Sequence, residues 1–367
     1  MKSFNATSAY SIEVILDNAI ISKSGDISVV YELFEPECYS LSDEDMNLRH
    51  SEYMRAFSHI SYGYIHRQDI YLRRSFDGSD MPRGTFISDA EAKHFNGREL
   101  IRHRTLLAFT SPTLKSLERS YQSNPLKYKD NLSKEDKSKL SLFLDEVEQV
   151  CSILSSLPMT DIRTISEANL NRNVISLVNG YQSDSGLRDI LCSDKLYIGS
   201  KVGSFFCICD ENYLPDEVSI SVSDRTLGHN SSLCMSMLEP LGIHLDCSHV
   251  INQIWCFRGN YYNNQLKESV KNFGRHKSFD KDIEYKYSQL SALDEEIREE
   301  QKKLCEYHYN LMIIEENEEL LERASDKVKS TLTNSGFSFY IPSYEGLYKV
   351  FIGSILGRET NLAKEYF

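Results

Sequence analysis

The sequence predicts an α+β protein built as two lobes of mixed or antiparallel sheet packed with helices. Three observations carry that expectation. Short runs rich in β-branched and aromatic residues alternate with helical patterns but keep no strict βαβ rhythm, which disfavours a doubly wound parallel sheet. The chain has 367 residues, beyond the roughly 250–300 at which a single hydrophobic core stops growing. Pro125 and the polar run Lys127–Lys134 mark a linker, so the lobes are expected at 1–125 and 126–367.

The first lobe opens with a hairpin: Tyr10–Ile21 and Ile27–Leu33 flank the turn residues Ser24-Gly25-Asp26. Ser42 with Asp45 three residues on is a weak capping box. The helix it starts has Met46, Tyr53, Phe57 and Ile60 at helical spacing, with His50 in the gap. A strand over Tyr62–Arg73, a helix over Asp89–Leu100 and a strand over Arg102–Thr110 follow, ended by Ser111-Pro112.

In the second lobe, Ser133 and Asp136 cap a helix whose stripe is Leu140, Phe143, Leu144, Val147, Cys151 and Leu154. Another helix is expected over Glu167–Asn179. Strands are expected at Leu196–Ile198, Ser204–Cys209, Val218–Val222 and His249–Phe257. Asp280–Leu304 is dominated by charge, with Ile283, Tyr287, Leu290 and Ile297 on one face, and reads as a solvated helix. The remainder reads as strand Tyr307–Ile314, helix Leu320–Thr331, strand Phe337–Ile341 and helix Tyr344–Ile355.

Composition narrows the function classes. A net charge of −13, from 41 Lys plus Arg against 54 Asp plus Glu, argues against bulk phosphate binding, which needs a basic face. The longest apolar run, Phe205–Cys209, is far too short to span a bilayer, and Met1–Tyr10 carries no signal-peptide pattern. Nine scattered cysteines fit reduced thiols and a cytoplasmic protein.

Four constellations bear on chemistry. Gly353–Thr360 approaches a phosphate-binding loop, but it is one residue short, has Arg358 in place of Lys and inserts Glu359. It reads better as a helix C-terminus capped by Gly357. Cys207 and Cys209, with Cys247 and His249, would make a tetrahedral zinc site if their strands were neighbours, and otherwise belong to a packed core. His66, Asp69, His94 and His103 are candidates for acid–base work, or structural hydrogen-bonding groups. Arg258, Tyr261 and Tyr262 could stack bases, but 22 Tyr and 17 Phe against one Trp fit protein interfaces equally well.

A family resemblance goes further. Ile20–Asp26, then Leu41–Asp45, His66-Arg67-Gln68-Asp69, Lys93-His94-Phe95-Asn96, Leu106–Thr110 and Asp246–Gln253 follow one another in the order seen in TraG-family conjugation ATPases of Bacteroidetes. Ser248 stands where that pattern has Asn. The resemblance runs from about residue 10 to the C-terminus and singles out Lys23, Gly25, Asp26, His66, Gln68, Asp69, His94, Phe95, His249, Asn252 and Gln253. It implies a non-catalytic N-terminal assembly region of a type IV secretion ATPase, docked on inner-membrane components and on neighbouring subunits. ATP and Mg would belong to a following P-loop domain, leaving no cofactor or metal in this chain and no catalytic residue to carry over. Localisation is then cytoplasmic and peripheral at the inner membrane, through partners, with direct nucleic-acid contact not expected. A self-contained metal-dependent or His/Asp hydrolase and a single-strand nucleic-acid module are the alternatives.

Overall fold

Strands β4 (Tyr62–Ser75) and β12 (Ser248–Arg258) set the architecture. Both are long and mostly buried on both faces, and they pair antiparallel from Tyr71↔His249 to Tyr62↔Arg258. A computed structural model describes residues 12–36, 41–80, 84–115, 117, 132–182, 188–215, 221–223, 232–234, 245–276, 281–299 and 302–362. The linker expected around Pro125 lies mostly outside the described residues.

Around this pair forms an eleven-stranded sheet of order β1-β2-β3-β5-β4-β12-β13-β9-β8-β7, with β6 paired to β3. Its remaining strands are β1 (Ile12–Leu16), β2 (Ala19–Ser22), β3 (Ile27–Phe34), β5 (Glu99–Thr110), β6 (Asp161–Thr164), β7 (Ile190–Cys192), β8 (Leu196–Ile198), β9 (Lys201–Ile208) and β13 (Glu306–Glu315). All its pairings are antiparallel. Strands from both sides of residue 126 therefore share one sheet, since β4 pairs with β12. A separate ribbon joins β10 (Ser221–Ser223) to β11 (Ser232–Cys234). Among the described residues there are eight α-helices, α1 (Asp43–Phe57), α2 (Phe86–Phe95), α3 (Lys134–Ser155), α4 (Glu167–Val178), α5 (Tyr261–His276), α6 (Lys281–Glu299), α7 (Glu318–Asn334) and α8 (Tyr344–Gly353). The fold is α+β.

Because side chains alternate across a pleated sheet, the strands sort their residues into two faces. One face buries Val30, Ile70, Ala108, Val250 and Met312 against α4, α8 and residues 355–362. The opposite face carries two separate apolar blocks. Ile65, Leu107 and Phe109 pack on Phe143, Val147 and Val150 of α3 and on Ala56 and Phe57 of α1. Ile251, Leu311 and Phe206 pack on Leu321, Val328 and Leu332 of α7.

Local signals explain most boundaries. The Ser42–Asp45 capping box forms, with Asp45 N–H on Ser42 Oγ at 3.2 Å and the Asp45 carboxylate accepting Ser42 N–H at 3.2 Å. Ser133 Oγ accepts Asp136 N–H at 3.1 Å and starts α3. Ser133→Ala should therefore lower stability by about 1 kcal/mol in denaturant unfolding.

Several expectations are corrected. Tyr10–Ile21 is not one strand: β1 and β2 are themselves a hairpin turning at Asp17, which takes φ +50°. His50 is exposed, and Arg49 takes the interior position because its guanidinium reaches Thr160 Oγ1 at 2.8 Å and the Pro158 carbonyl. Leu144 of α3 is exposed, whereas Val150 completes the stripe. The helix read over Asp89–Leu100 is Phe86–Phe95, because Thr85 caps it with Ser88 and Glu99 opens β5. Phe337–Ile341 forms a single bridge, Cys207↔Tyr340, instead of a strand. Part of Val218–Val222 falls outside the described residues. Helix α5 was not foreseen, because its sole fully buried side chain is Leu266. It packs on α6, whose Ile283, Tyr287, Leu290 and Ile297 do turn inward.

Candidate functional site

Antiparallel register lines up the site. Gln68 lies opposite Asn252, Asn252 opposite Asn310, and Asn310 opposite Cys207, so one row crosses β4, β12, β13 and β9 on a single face. Such a row in the middle of a sheet would be costly if its amides were unpaired. They are paired with each other and with the chain that leaves α8. Gln68 Nε2 donates to Asn252 Oδ1 at 2.8 Å and to the Ser354 carbonyl at 2.9 Å. Asn252 Nδ2 donates to Asn310 Oδ1 at 2.8 Å, and Asn310 Nδ2 reaches His308 Nε2 at 2.9 Å and Ser354 Oγ at 3.1 Å.

His66, two residues before Gln68 on β4, faces the same way. Its Nε2 lies 3.0 Å from Asn252 Oδ1 and its Nδ1 lies 2.7 Å from Glu359 Oε1. Both side chains are fully buried. Glu359 also accepts Gly357 N–H at 2.9 Å and the Thr110 hydroxyl at 2.9 Å, and Thr110 Oγ1 lies 2.7 Å from Ser28 Oγ. Asp26 accepts Thr360 Oγ1 at 3.1 Å, Thr113 Oγ1 at 2.8 Å and Ser22 Oγ at 3.0 Å. Residues 354–361 thus act as a polar strap across the sheet.

This corrects the reading of Gly353–Thr360. Helix α8 ends at Gly353 with Ser354 as its cap, and Gly357 is not that cap. Gly357 takes φ +78°, and a Cβ there would lie 3.0 Å from Ile20 and 3.1 Å from Ser28 Oγ. Gly353 is needed for another reason, because a Cβ there would collide with the Leu362 side chain. Arg358 donates to Ser24 Oγ and Asn361 Oδ1, at 3.2 and 2.9 Å, rather than standing free for a phosphate.

The opposite face holds a second polar cluster in the seam between the two apolar blocks. Arg67 bonds Asp69 through Nε at 2.8 Å and Glu35 at 2.8 Å. Asp69 also accepts Thr105 Oγ1 at 2.6 Å and lies 3.0 Å from His103 Nε2. Burial pushes the Asp69 carboxyl up, but Arg67 and the His103 bond outweigh it and hold it well below the usual carboxylate range. Tyr71 stacks between His103 at 4.2 Å and His249 at 4.6 Å.

His249 Nδ1–H donates to the Cys247 carbonyl at 2.9 Å, and its buried Nε2 has no partner among the described residues. Burial pushes its pKa down to about 4. Unfolding restores an ordinary value near 6.5. A base with a lowered folded value is protonated first in the unfolded chain, so its stability contribution is complete above about pH 6.5 and shrinks as pH falls toward 4. Wild type should lose about 3 kcal/mol more than His249→Gln over that window in urea titrations.

The residues singled out by sequence therefore divide. Asp26, His66, Gln68 and Asn252 meet in the strap network, whereas Asp69, His103, His249 and Gln253 lie on the other face, Gln253 accepting Tyr307 OH at 3.1 Å. Lys23 and Gly25 form the β2–β3 turn, and His94 and Phe95 are exposed on α2. The zinc candidates do not converge. β13 separates β9 from β12, and Cys207 faces the strap side while Cys247 packs on the α7 side. Burial also pushes the Cys247 thiol up to about 12, away from the thiolate a metal needs. The base-stacking candidates are engaged elsewhere: Arg258 pairs with Glu306 at 2.9 Å and Tyr262 OH bonds the same carboxylate. Glu359, Ser354, Asn310 and His308 were missed. His308 and Asn310, two apart in an aromatic and aliphatic strand, were the readable signal.

Residues 243–341 match the model of the CagE, TrbE, VirB family, a component of the type IV transporter system. The matched span contains β12, α5, α6, β13 and α7, hence two of the strands that carry the amide row. The match suggests a type IV secretion system component. No curated protein matches the chain. Among the described residues no helix is long and apolar enough to cross a membrane.

Proposed function

We propose that the chain is a non-catalytic assembly module of a TraG-like type IV secretion ATPase, contacting inner-membrane channel components and neighbouring copies. The observation that carries this reading is the family match over residues 243–341, which spans the centre of the sheet and the α5–α6 hairpin inserted between β12 and β13. The state of the polar groups supports it: His66, Glu359, Asp69 and His103 each have protein partners, which leaves little of either cluster free to meet a substrate. In this reading ATP and Mg act in a separate P-loop domain, and the chain reaches the inner membrane through its partners.

The test is co-purification of the chain with each inner-membrane component of its transfer system, with nucleotide turnover measured in parallel. The expected result is capture of at least one component and no ATP hydrolysis by this chain. Hydrolysis by the chain alone, or failure to capture any component, would overturn the reading.

A further inference from the structure

A backbone carbonyl fixes the direction of the hydrogen bonds around His66. Gln68 Nε2 lies 2.9 Å from the Ser354 carbonyl, which can only accept, so that atom is the amide nitrogen. The same nitrogen lies 2.8 Å from Asn252, so the Asn252 atom facing it is the acceptor Oδ1. His66 Nε2 lies 3.0 Å from this oxygen and must donate to it. His66 Nδ1 lies 2.7 Å from Glu359 Oε1. That carboxyl also accepts the Gly357 N–H and the Thr110 hydroxyl, and a bare Nδ1 would set its lone pair against a carboxylate oxygen at hydrogen-bond distance. Nδ1 therefore donates as well.

We infer that His66 is held as a buried imidazolium against the Glu359 carboxylate, a proton-binding site that clasps residues 354–362 to the sheet and ties their seating to one proton. The pair is neutral overall, which suits its complete burial. Separated in water, an imidazole with a pKa near 6.5 and a carboxyl near 4.3 hold well under one proton at pH 7.5. Opening the strap therefore releases a proton, and the open fraction grows with pH. The titratable and charged neighbours are Tyr64 on β4 and Arg358 on the strap, both beside Glu359. Beyond them stand Asp26 at the β2–β3 turn, Tyr348 on α8, His308 at the end of the amide row and Cys256 on β12 beside Tyr64. This inference does not depend on which complex the chain joins.

The experiment uses the unmodified chain labelled with ¹⁵N-histidine, with ring signals assigned through the backbone. At pH 7.5 His66 is expected to show protons on both ring nitrogens, protected from exchange. A bare, unprotonated His66 ring nitrogen overturns the proton site. Hydrogen–deuterium exchange of residues 354–362 from pH 7 to 9, corrected for the intrinsic pH dependence, tests the linkage. The opening constant is expected to rise by up to about tenfold per pH unit, and an opening constant that does not change with pH overturns the coupling.

Discussion

Glu359→Leu is expected to destabilise the protein by about 3–5 kcal/mol, read as a lower urea midpoint at unchanged slope. Glu359 and His66 are completely buried, and the carboxylate holds His66 Nδ1, Gly357 N–H and the Thr110 hydroxyl. Leucine preserves much of the volume, so the loss reports the orphaned donors rather than a cavity. His66 Nδ1 would then have no partner in an apolar environment, and leaving one member of a buried pair unsatisfied is the costly way to break it. His66→Leu/Glu359→Leu removes both partners and should recover part of the loss, because the imidazole nitrogen is then no longer orphaned. A single-variant cost below about 1 kcal/mol would show that the strap does not depend on this bond.

The second large effect is expected at Asp69, on the opposite face. Asp69→Ala should also cost about 3–5 kcal/mol. It leaves Arg67 with Glu35 alone and takes the acceptor from Thr105 and His103. The folded carboxyl is held below its ordinary value, so its stabilisation is present above the ordinary carboxylate pKa and is lost as pH falls through the lower folded value. Acid titration should therefore unfold wild type more steeply than Asp69→Asn between about pH 4 and 2. Equal slopes for the two proteins would remove Asp69 from the account of acid stability.

The division of the singled-out residues shows what a sequence can reveal about this site. Asp26, His66, Gln68 and Asn252 stood out and meet in one network, because polar residues inside apolar strands need partners wherever they are buried. Asp69 stood beside them in sequence yet belongs to another cluster, since one step along a strand changes the face. The role of Glu359 is not readable locally because its partner His66 lies 293 residues away in the chain. Its own neighbourhood, Gly353–Thr360, reads locally as a failed nucleotide loop. Helix α5 escaped because its inward face contacts one other helix instead of the main core, so its apolar stripe is thin.

The α+β class, the positions of most strands and the starts of α1 and α3 were legible in the order of residues alone. These follow from β-branched runs, alternation and caps, which act over a few residues. Tertiary structure alone decided that strands from both halves join one sheet and that Gln68, Asn252 and Asn310 stand in one row. It also placed residues 354–361 across that row as a strap. Strand order and register arise from burying apolar faces and satisfying amides between segments far apart in the chain, and no local pattern encodes them.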